Sequence, residues 1–177
     1  MKELLNAEEV QAALDDLYEA VCAHCPADEP LAVVGIRTRG ETISRRLVER
    51  LRADRPDQPL ARGVLDITFY RDDLSRRKRA PMVRATEIDF EIDDARVLLI
   101  DDVIQTGRSI RAALDALHDF GRPGVVRLGV LVDRGGRELP IAADYAGRHV
   151  EVPDDLRVQV RLEENDGTEG VFTVPRD

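Results

Sequence analysis

The chain has 177 residues, of which 43% are hydrophobic and 34% charged, the balance of an ordinary globular protein with enough length to bury a core. No apolar run approaches the roughly 18 residues of a membrane span, and the N-terminus lacks the apolar segment of a signal peptide, so we expect a single cytoplasmic domain over residues 1–177. The formal charge of −9 repels anions such as RNA, so an anionic partner needs a local arginine cluster or bound magnesium.

The first predicted element is an amphipathic helix. Asn6 and Glu9 have the spacing of a capping box, and apolar residues then recur at helical spacing. Near the helix end, Cys22 and Cys25 form a C-x-x-C pair around His24. A zinc or redox site is one interpretation, but the chain has no second cysteine pair, which favours ordinary reduced thiols. The apolar face of the helix comprises Val10, Leu14, Leu17 and Val21.

A buried parallel strand is predicted at Leu31–Ile36, because the run is short and continuously apolar. The loop Arg37-Thr38-Arg39-Gly40 follows it directly. Since the carboxyl ends of strands in open α/β sheets face the ligand crevice, we predict that this loop lies at the binding edge. Its guanidinium, hydroxyl and amide groups suit a diphosphate, and a solvated basic turn is the alternative. The next helix carries an apolar stripe of Ile43, Leu47 and Leu51.

Two features are predicted between residues 63 and 84. Residues 63–70 are rich in β-formers and indicate a strand that runs into a loop. Residues 71–84 are too highly charged to be buried, so we expect a mobile surface segment. Such a segment is either a lid over a reacting centre or a solvated excursion without a role.

The most informative stretch runs from Val97 to Ser109. An apolar strand ends at Asp101 and Asp102, and the turn from Thr106 to Ser109 leads into a helix. Free amides at a helix N-terminus favour a phosphate, and Gly107 permits close approach of the backbone. The paired acids suit the hydroxyls of a pentose. The stretch therefore predicts a ribose 5-phosphate site, followed by a helix with the apolar residues Ile110, Leu114 and Leu117.

An apolar strand that ends in two aspartates also occurs in receiver domains and acid phosphatases, where the acids bind a metal or accept phosphate. Receiver chemistry further needs a lysine after a later core strand. The lysines here are Lys2 and Lys78, and neither has that position, which disfavours this alternative.

The last third of the chain contributes another strand end to the same edge. Residues 125–132 are apolar and end at Asp133-Arg134-Gly135. In residues 150–163 apolar and polar positions alternate, which predicts a half-exposed strand, and residues 170–174 are its expected partner. The apolar positions of that strand are Val158, Val160 and Leu162.

These blocks together resemble a known family. The stretch from Val97 to Ser109, with its apolar run, paired acids and T-G-R-S loop, is similar to the phosphoribosyl-pyrophosphate (PRPP) motif of type I phosphoribosyltransferases. Other blocks resemble one branch, the PyrR family of bifunctional pyr operon regulators and uracil phosphoribosyltransferases. The resemblance implies an α/β fold with a mainly parallel central sheet, flanking helices and a small hood. The blocks are residues 35–40, 66–75, 132–135 and 137–141.

The resemblance implies conversion of uracil and PRPP to UMP and pyrophosphate with Mg²⁺, and it implies roles for individual residues. Asp101, Asp102 and Arg39 are the expected catalytic residues. The magnesium is expected mainly on substrate oxygens, with Asp101 and Asp102 as candidate ligands. The expected pyrophosphate loop is Arg37, Thr38, Arg39 and Gly40. The expected PRPP and nucleotide contacts are Thr38, Arg39, Gly40, Arg84, Asp101, Asp102, Val103, Ile104, Gln105, Thr106, Gly107, Arg108, Ser109 and Arg134.

Position 105 bears on the choice of base. Purine phosphoribosyltransferases that resemble this motif often have an aspartate there, which handles a purine proton. This chain has Gln105, which cannot act as a carboxylate base, and that favours a pyrimidine.

The resemblance also implies binding of pyr mRNA leader, tuned by UMP and UTP, and a homodimer or larger homo-oligomer. Thr38, Arg137 and Arg148 are the expected RNA contacts. Gly136 and Ala142, however, stand where relatives commonly have a histidine and a basic residue, and residues 163–169 are acidic. Two alternatives therefore remain open: a nucleotide-sensing RNA-binding regulator without activity, and a phosphoribosyltransferase for another base without RNA binding.

Overall fold

The computed structural model describes residues 1–73 and 84–176, and in these ranges the chain forms eight strands, four α-helices and one 3₁₀ turn at Thr68–Tyr70. The helices are α1 (Ala7–His24), α2 (Arg39–Asp54), α3 (Arg108–His118) and α4 (Glu163–Asp166). The strands are β1 (Lys2–Leu5), β2 (Leu31–Ile36), β3 (Leu60–Leu65), β4 (Arg96–Ile104), β5 (Val125–Asp133), β6 (Tyr145–His149), β7 (Leu156–Arg161) and β8 (Gly170–Pro175).

A five-stranded parallel sheet forms the centre of the molecule, with the strand order β3-β2-β4-β5-β6. From β2 the chain moves one way to β3 and then crosses back to β4, β5 and β6. The order therefore reverses between β2 and β4. In open α/β sheets this reversal point, at the carboxyl ends of the strands, is where ligands bind.

Helices cover both faces of this sheet. Leu98 and Ile100 of β4 pack in one core with α1 and α2, whereas their neighbours Val97 and Leu99 pack in a second core with α3. All four side chains are fully buried, so β4 is apolar on both faces, as the continuous apolar run predicted.

The predicted start of the first helix is confirmed. Asn6 Oδ1 accepts a hydrogen bond from the Glu9 amide at 3.0 Å, and the Asn6 amide donates to Glu9 Oε2 at 2.9 Å, which is a complete capping box. Val10, Leu17 and Val21 are buried on the predicted apolar face.

A separate antiparallel sheet of order β1-β8-β7 forms a hood. The expected pairing of the two C-terminal strands is confirmed, with Val158 opposite Thr173. Val160, Leu162 and Val171 of the hood are buried in the same core as α1 and α2. The predicted fold class, a parallel central sheet with flanking helices and a small hood, is thus confirmed.

The strand expected within residues 63–70 has different bounds. It begins at Leu60 and ends at Leu65, because the Asp66 side chain then accepts a hydrogen bond from the Thr68 amide at 2.7 Å and turns the chain into the 3₁₀ turn. Of the segment expected to be mobile, residues 74–83 lie outside the described residues. Within residues 1–73 and 84–176, none of the helices is long and apolar enough to cross a bilayer.

Candidate active site

The acid pair lies inside the last part of β4, which continues to Ile104. Asp101 Oδ1 accepts a hydrogen bond from the Asp102 amide at 2.9 Å, and Asp102 Oδ1 accepts one from the Val103 amide at 2.8 Å. Asp101 is only 7% exposed. Two carboxylates are therefore held side by side at the reversal point of the sheet.

Burial makes this pair hold protons more strongly than ordinary aspartates. Burial and the adjacent Asp102 charge raise the pKa of Asp101 well above its usual value. Burial also raises the pKa of Asp102, although a hydrogen bond from Asp101 and the Arg39 charge oppose the rise. A bound cation or hydroxyl donors would favour the ionised form of such a pair.

The predicted pyrophosphate loop lies directly against the acid pair. A Cβ atom at Gly40 would lie 2.5 Å from the Ile100 carbonyl oxygen and 3.1 Å from the Asp101 Cα. Because no real side chain fits there, glycine is what allows the N-terminus of α2 to pack on β4. The effect of the Arg39 charge on the Asp102 pKa reflects this closeness.

The turn into α3 has the features of a phosphate site. Gly107 adopts a φ of 88° as the residue that precedes the helix, a conformation that favours glycine. The amides of Thr106, Gly107 and Ser109 have no hydrogen-bond partner in residues 1–73 and 84–176. Free amides and the positive end of the helix dipole therefore converge on one point.

Two cavities lie at this edge of the sheet, and Arg71 lines both. The first, of about 260 Å³, is next to the phosphate turn and extends to Val158 of the hood. The second, of about 220 Å³, is next to the pyrophosphate loop and includes Thr38 and Arg84. The first is lined by Arg71, Val103, Ile104, Gln105, Thr106, Gly107, Ser109, Ile110 and Val158. The second is lined by Arg37, Thr38, Asp66, Ile67, Thr68, Arg71 and Arg84.

The two arginines of the pyrophosphate loop have different environments. Arg37 donates to Glu41 at 2.8 Å, to Glu87 at 2.9 Å and to the Ala85 carbonyl at 3.1 Å, so all three of its guanidinium nitrogens are engaged. Arg39 donates from Nε and Nη2 to Asp166 of the hood. The Arg37 side chain can therefore bind a diphosphate only if these hydrogen bonds break. Arg39, in contrast, keeps Nη1 without a hydrogen-bond partner among the described residues, so this nitrogen can donate to a ligand.

The guanidinium of Arg134 is turned into the protein. It is 4% exposed as a residue and donates to the Leu156 carbonyl at 2.8 Å and the Val152 carbonyl at 2.9 Å. In this arrangement Arg134 anchors the start of β7 to the end of β5. Its expected contact with nucleotide stays a prediction.

The three expected RNA contacts lie in different parts of the chain, after β2, after β5 and within β6. Arg137 donates to Asp133 at 2.6 Å and to the Gln105 carbonyl at 3.0 Å, next to the core on the α3 side. Arg148 pairs with Asp16 of α1, which packs on the opposite face of the sheet. Thr38 lines the cavity at the end of β2. Their expected contact with RNA stays a prediction.

Six residues that line the two cavities were not predicted as site residues from the sequence: Asp66, Ile67, Thr68, Arg71, Ile110 and Val158. Arg71 was part of the expected mobile segment, and the only local signal was its place shortly after the end of β3. Val158 has the alternation of a half-exposed strand, which carries no information about the distant cavity that it lines.

Metal-ligating side chains are sparse around the cavities. In the part of the chain that the structure describes, no three His, Cys, Asp or Glu side chains form a metal-binding group. The acid pair offers two carboxylates, which suit a hard cation that completes its coordination with substrate oxygens and water. Cys22 and Cys25 are free thiols.

Comparison with known proteins assigns the family. The family model of the phosphoribosyl transferase domain matches residues 1–161. The bifunctional protein PyrR of Deinococcus radiodurans is 45% identical over 166 residues, which cover 94% of this chain and 90% of the relative. The bifunctional protein PyrR of Roseiflexus sp. is 47% identical over 175 residues, which cover 98% of this chain and 94% of the relative. The chain belongs to the PyrR family of phosphoribosyltransferases.

Solved structures show that the PyrR family member described here has the phosphoribosyltransferase fold. A hypoxanthine-guanine phosphoribosyltransferase from Bacillus anthracis has a TM-score of 0.71 at 14% identity, with 98% of both chains covered. A hypoxanthine phosphoribosyltransferase from Trypanosoma cruzi has a TM-score of 0.71 at 18% identity, with 99% of this chain and 95% of that chain covered. The predicted family and the predicted transferase class are confirmed.

Proposed function

We propose that this PyrR family member transfers the phosphoribosyl group of PRPP to uracil, with UMP and pyrophosphate as products. The observation that carries the proposal is the buried Asp101–Asp102 pair on β4, directly before Val103 and Ile104, which line the cavity next to the phosphate turn. A second cavity lies next to the pyrophosphate loop. The relatives named bifunctional protein PyrR support the choice of reaction.

The ribose 5-phosphate fits the first cavity. Its phosphate would accept hydrogen bonds from the amides of Thr106, Gly107 and Ser109, and its two ring hydroxyls would donate to Asp101 and Asp102. Both ends of the sugar are then fixed, which holds the anomeric carbon at the border with the second cavity.

The leaving diphosphate fits the second cavity. As its bond to the anomeric carbon breaks, positive charge develops on the ribose and negative charge on the diphosphate. Mg²⁺, when bound, supplies Lewis-acid neutralisation of diphosphate oxygens. The free Nη1 of Arg39 and the backbone of the loop at Thr38 and Gly40 would hold the departing group.

The base fits between Gln105 and Val158. Val158 offers an apolar contact from the hood, and Gln105 lines the same cavity. The Gln105 backbone is fixed, because Arg137 donates to its carbonyl oxygen at 3.0 Å and to Asp133 at 2.6 Å. A side-chain amide at this position recognises polar edges of a base without acting as a proton acceptor, which supports a pyrimidine.

Steady-state pyrophosphate release tests the proposal. We expect turnover with uracil and far less with hypoxanthine, guanine or orotate. The double variant Asp101→Asn plus Asp102→Asn should lose turnover while it stays folded, because an amide cannot supply the paired negative charges. Wild-type turnover in that variant would show that the acid pair is not needed for the reaction. Turnover with a purine but not with uracil would show that the substrate is a purine.

We also propose that the chain binds the mRNA leader of pyrimidine genes. One observation supports this: three of the four acidic residues in 163–169 pair with arginines, Glu164 and Glu169 with Arg46 and Asp166 with Arg39, which reduces the repulsion of RNA. The test is a mobility shift of a pyrimidine-leader hairpin with and without UMP over a range of salt. Binding that UMP strengthens supports regulation, and no binding at low salt leaves an enzyme only.

A further inference from the structure

We propose that Asp166 of the hood is a positioning residue for Arg39, so that the hood supplies part of the diphosphate site. The inference rests on the proposed function, in which Arg39 faces the leaving group. Asp166 and Arg39 are 127 residues apart in the chain and meet because α4 lies over the start of α2.

The contact between the two side chains is bidentate. Asp166 Oδ1 accepts from Arg39 Nη2 at 2.6 Å, and Asp166 Oδ2 accepts from Arg39 Nε at 3.1 Å. Two parallel charge-assisted bonds fix the plane of the guanidinium as well as its position. The carboxylate is itself fixed, since Oδ2 also accepts from the Leu162 amide at 3.0 Å.

This geometry leaves one edge of Arg39 for a ligand. In the part of the chain that the structure describes, Arg39 Nη1 has no hydrogen-bond partner, and the side chain is 27% exposed. The Arg39 charge also acts on Asp102. The guanidinium is thus held by the hood within electrostatic reach of the acid pair, with its long side chain ordered before any ligand arrives.

Other contacts dock the hood without Asp166. Thr42, which is 5% exposed, donates from Oγ1 to Asn165 Oδ1 at 2.7 Å. Arg46 donates from Nε to Glu164 at 3.0 Å and from Nη1 to Glu169 at 2.7 Å. Because these bonds hold α4 on α2, docking of the hood does not depend on the Asp166 carboxylate alone. Glu164 therefore offers a matched control, with the same charge on the same helix.

The positioning role and a competing role predict opposite results. If Asp166 merely occupied Arg39 in place of the substrate, its removal would free the guanidinium and tighten diphosphate binding. If Asp166 positions Arg39, its removal lets the side chain sample other rotamers and weakens diphosphate binding. The uncommitted Nη1 edge favours positioning, because a ligand can bind there while the Asp166 contact persists.

The test compares Asp166→Asn, Asp166→Glu and Glu164→Gln in the full chain. Calorimetric titration with Mg²⁺-diphosphate and separately with UMP gives the two affinities, and kinetics give KM for PRPP. We expect Asp166→Asn to weaken diphosphate binding and raise that KM by about tenfold or more, with UMP affinity within about twofold of wild type. Asp166→Glu should recover part of the loss, and Glu164→Gln should match wild type.

Three outcomes would overturn the inference: unchanged diphosphate affinity in Asp166→Asn, tighter affinity, or an equal loss in Glu164→Gln. Asn165→Ala, which removes the acceptor of Thr42, reports what a loosened hood alone does. An equal weakening in that variant would also reject a specific role for Asp166. A wild-type protein that binds diphosphate without any transfer would reject the proposed function and leave the Asp166 comparison intact.

Discussion

Arg71 donates from Nη1 to the Ser109 hydroxyl at 3.3 Å, which joins the segment after β3 to the phosphate turn before α3. Arg71 is itself fixed by Asp73, which accepts from its Nε and Nη2 at 2.9 Å each. One guanidinium therefore lies where the two cavities meet, within electrostatic reach of Asp101.

Arg71→Ala is expected to raise KM for PRPP by about tenfold to a hundredfold, because a charged contact to both phosphate-bearing ends of the substrate is lost. Initial-rate kinetics measure the change. Arg52→Ala on α2, an arginine for which the structure shows no ion pair among the described residues, is the control and should retain the wild-type KM. An unchanged KM in Arg71→Ala would show that Arg71 does not contact PRPP and has only a structural role.

Gly40→Ala is expected to disrupt the site through packing alone. The added Cβ would meet the Ile100 carbonyl at 2.5 Å, so α2 must move away from β4, at a cost of about 1–3 kcal/mol. Thermal unfolding and turnover measure the two effects. Gly167→Ala is the matched control, since no atom lies within 4 Å of its added Cβ and only its positive φ of 65° is strained. That control should lower stability by about 1 kcal/mol and keep turnover.

Local sequence patterns predicted the core elements well, because each signal is complete within the element. The Asn6–Glu9 capping box and the apolar run Leu31–Ile36 need no distant partner to be interpreted. The strand ends at Leu65 because the Asp66 side chain accepts a hydrogen bond from the Thr68 amide. A run of β-formers does not predict that hydrogen bond.

The geometry of the candidate site was predictable where one stretch carries it, as at the acid pair at the end of β4 and the turn into α3. It was not predictable where residues meet across the fold. The role of Asp166 depends on α4 lying over α2, and the acidic residues 163–169 suggested an exposed negative surface when they are in fact largely paired with arginines. Likewise, the sequence does not reveal that Arg37 and Arg134 are engaged within the protein.

Asp101→Asn is expected to unfold at a higher temperature than wild type at pH 8, with loss of turnover. The folded state raises the Asp101 pKa, so it prefers the protonated acid and loses stability as pH rises through that raised pKa. Asparagine stays neutral, which makes the gain about 1 kcal/mol or more at high pH and close to zero below the unfolded aspartate pKa of about 3.9, where both states are protonated. Thermal unfolding from about pH 3 to pH 8 measures it. A difference that stays constant with pH would contradict the raised pKa.

Docking of the hood is expected to weaken in acid. Hydrogen bonds from Arg46 lower the pKa of Glu164 and of Glu169, so both carboxylates stabilise the folded state above their unfolded pKa. That stabilisation is lost as pH falls through the lowered pKa values. Because Glu164 is 35% exposed and Glu169 14% exposed, solvent screening limits the effect to about 1 kcal/mol. Hydrogen exchange of β7 and β8 between pH 7 and about pH 3 measures it. Arg46→Gln should expose these strands at neutral pH and flatten the pH dependence. Equal pH dependence in both proteins would assign the acid sensitivity to other groups.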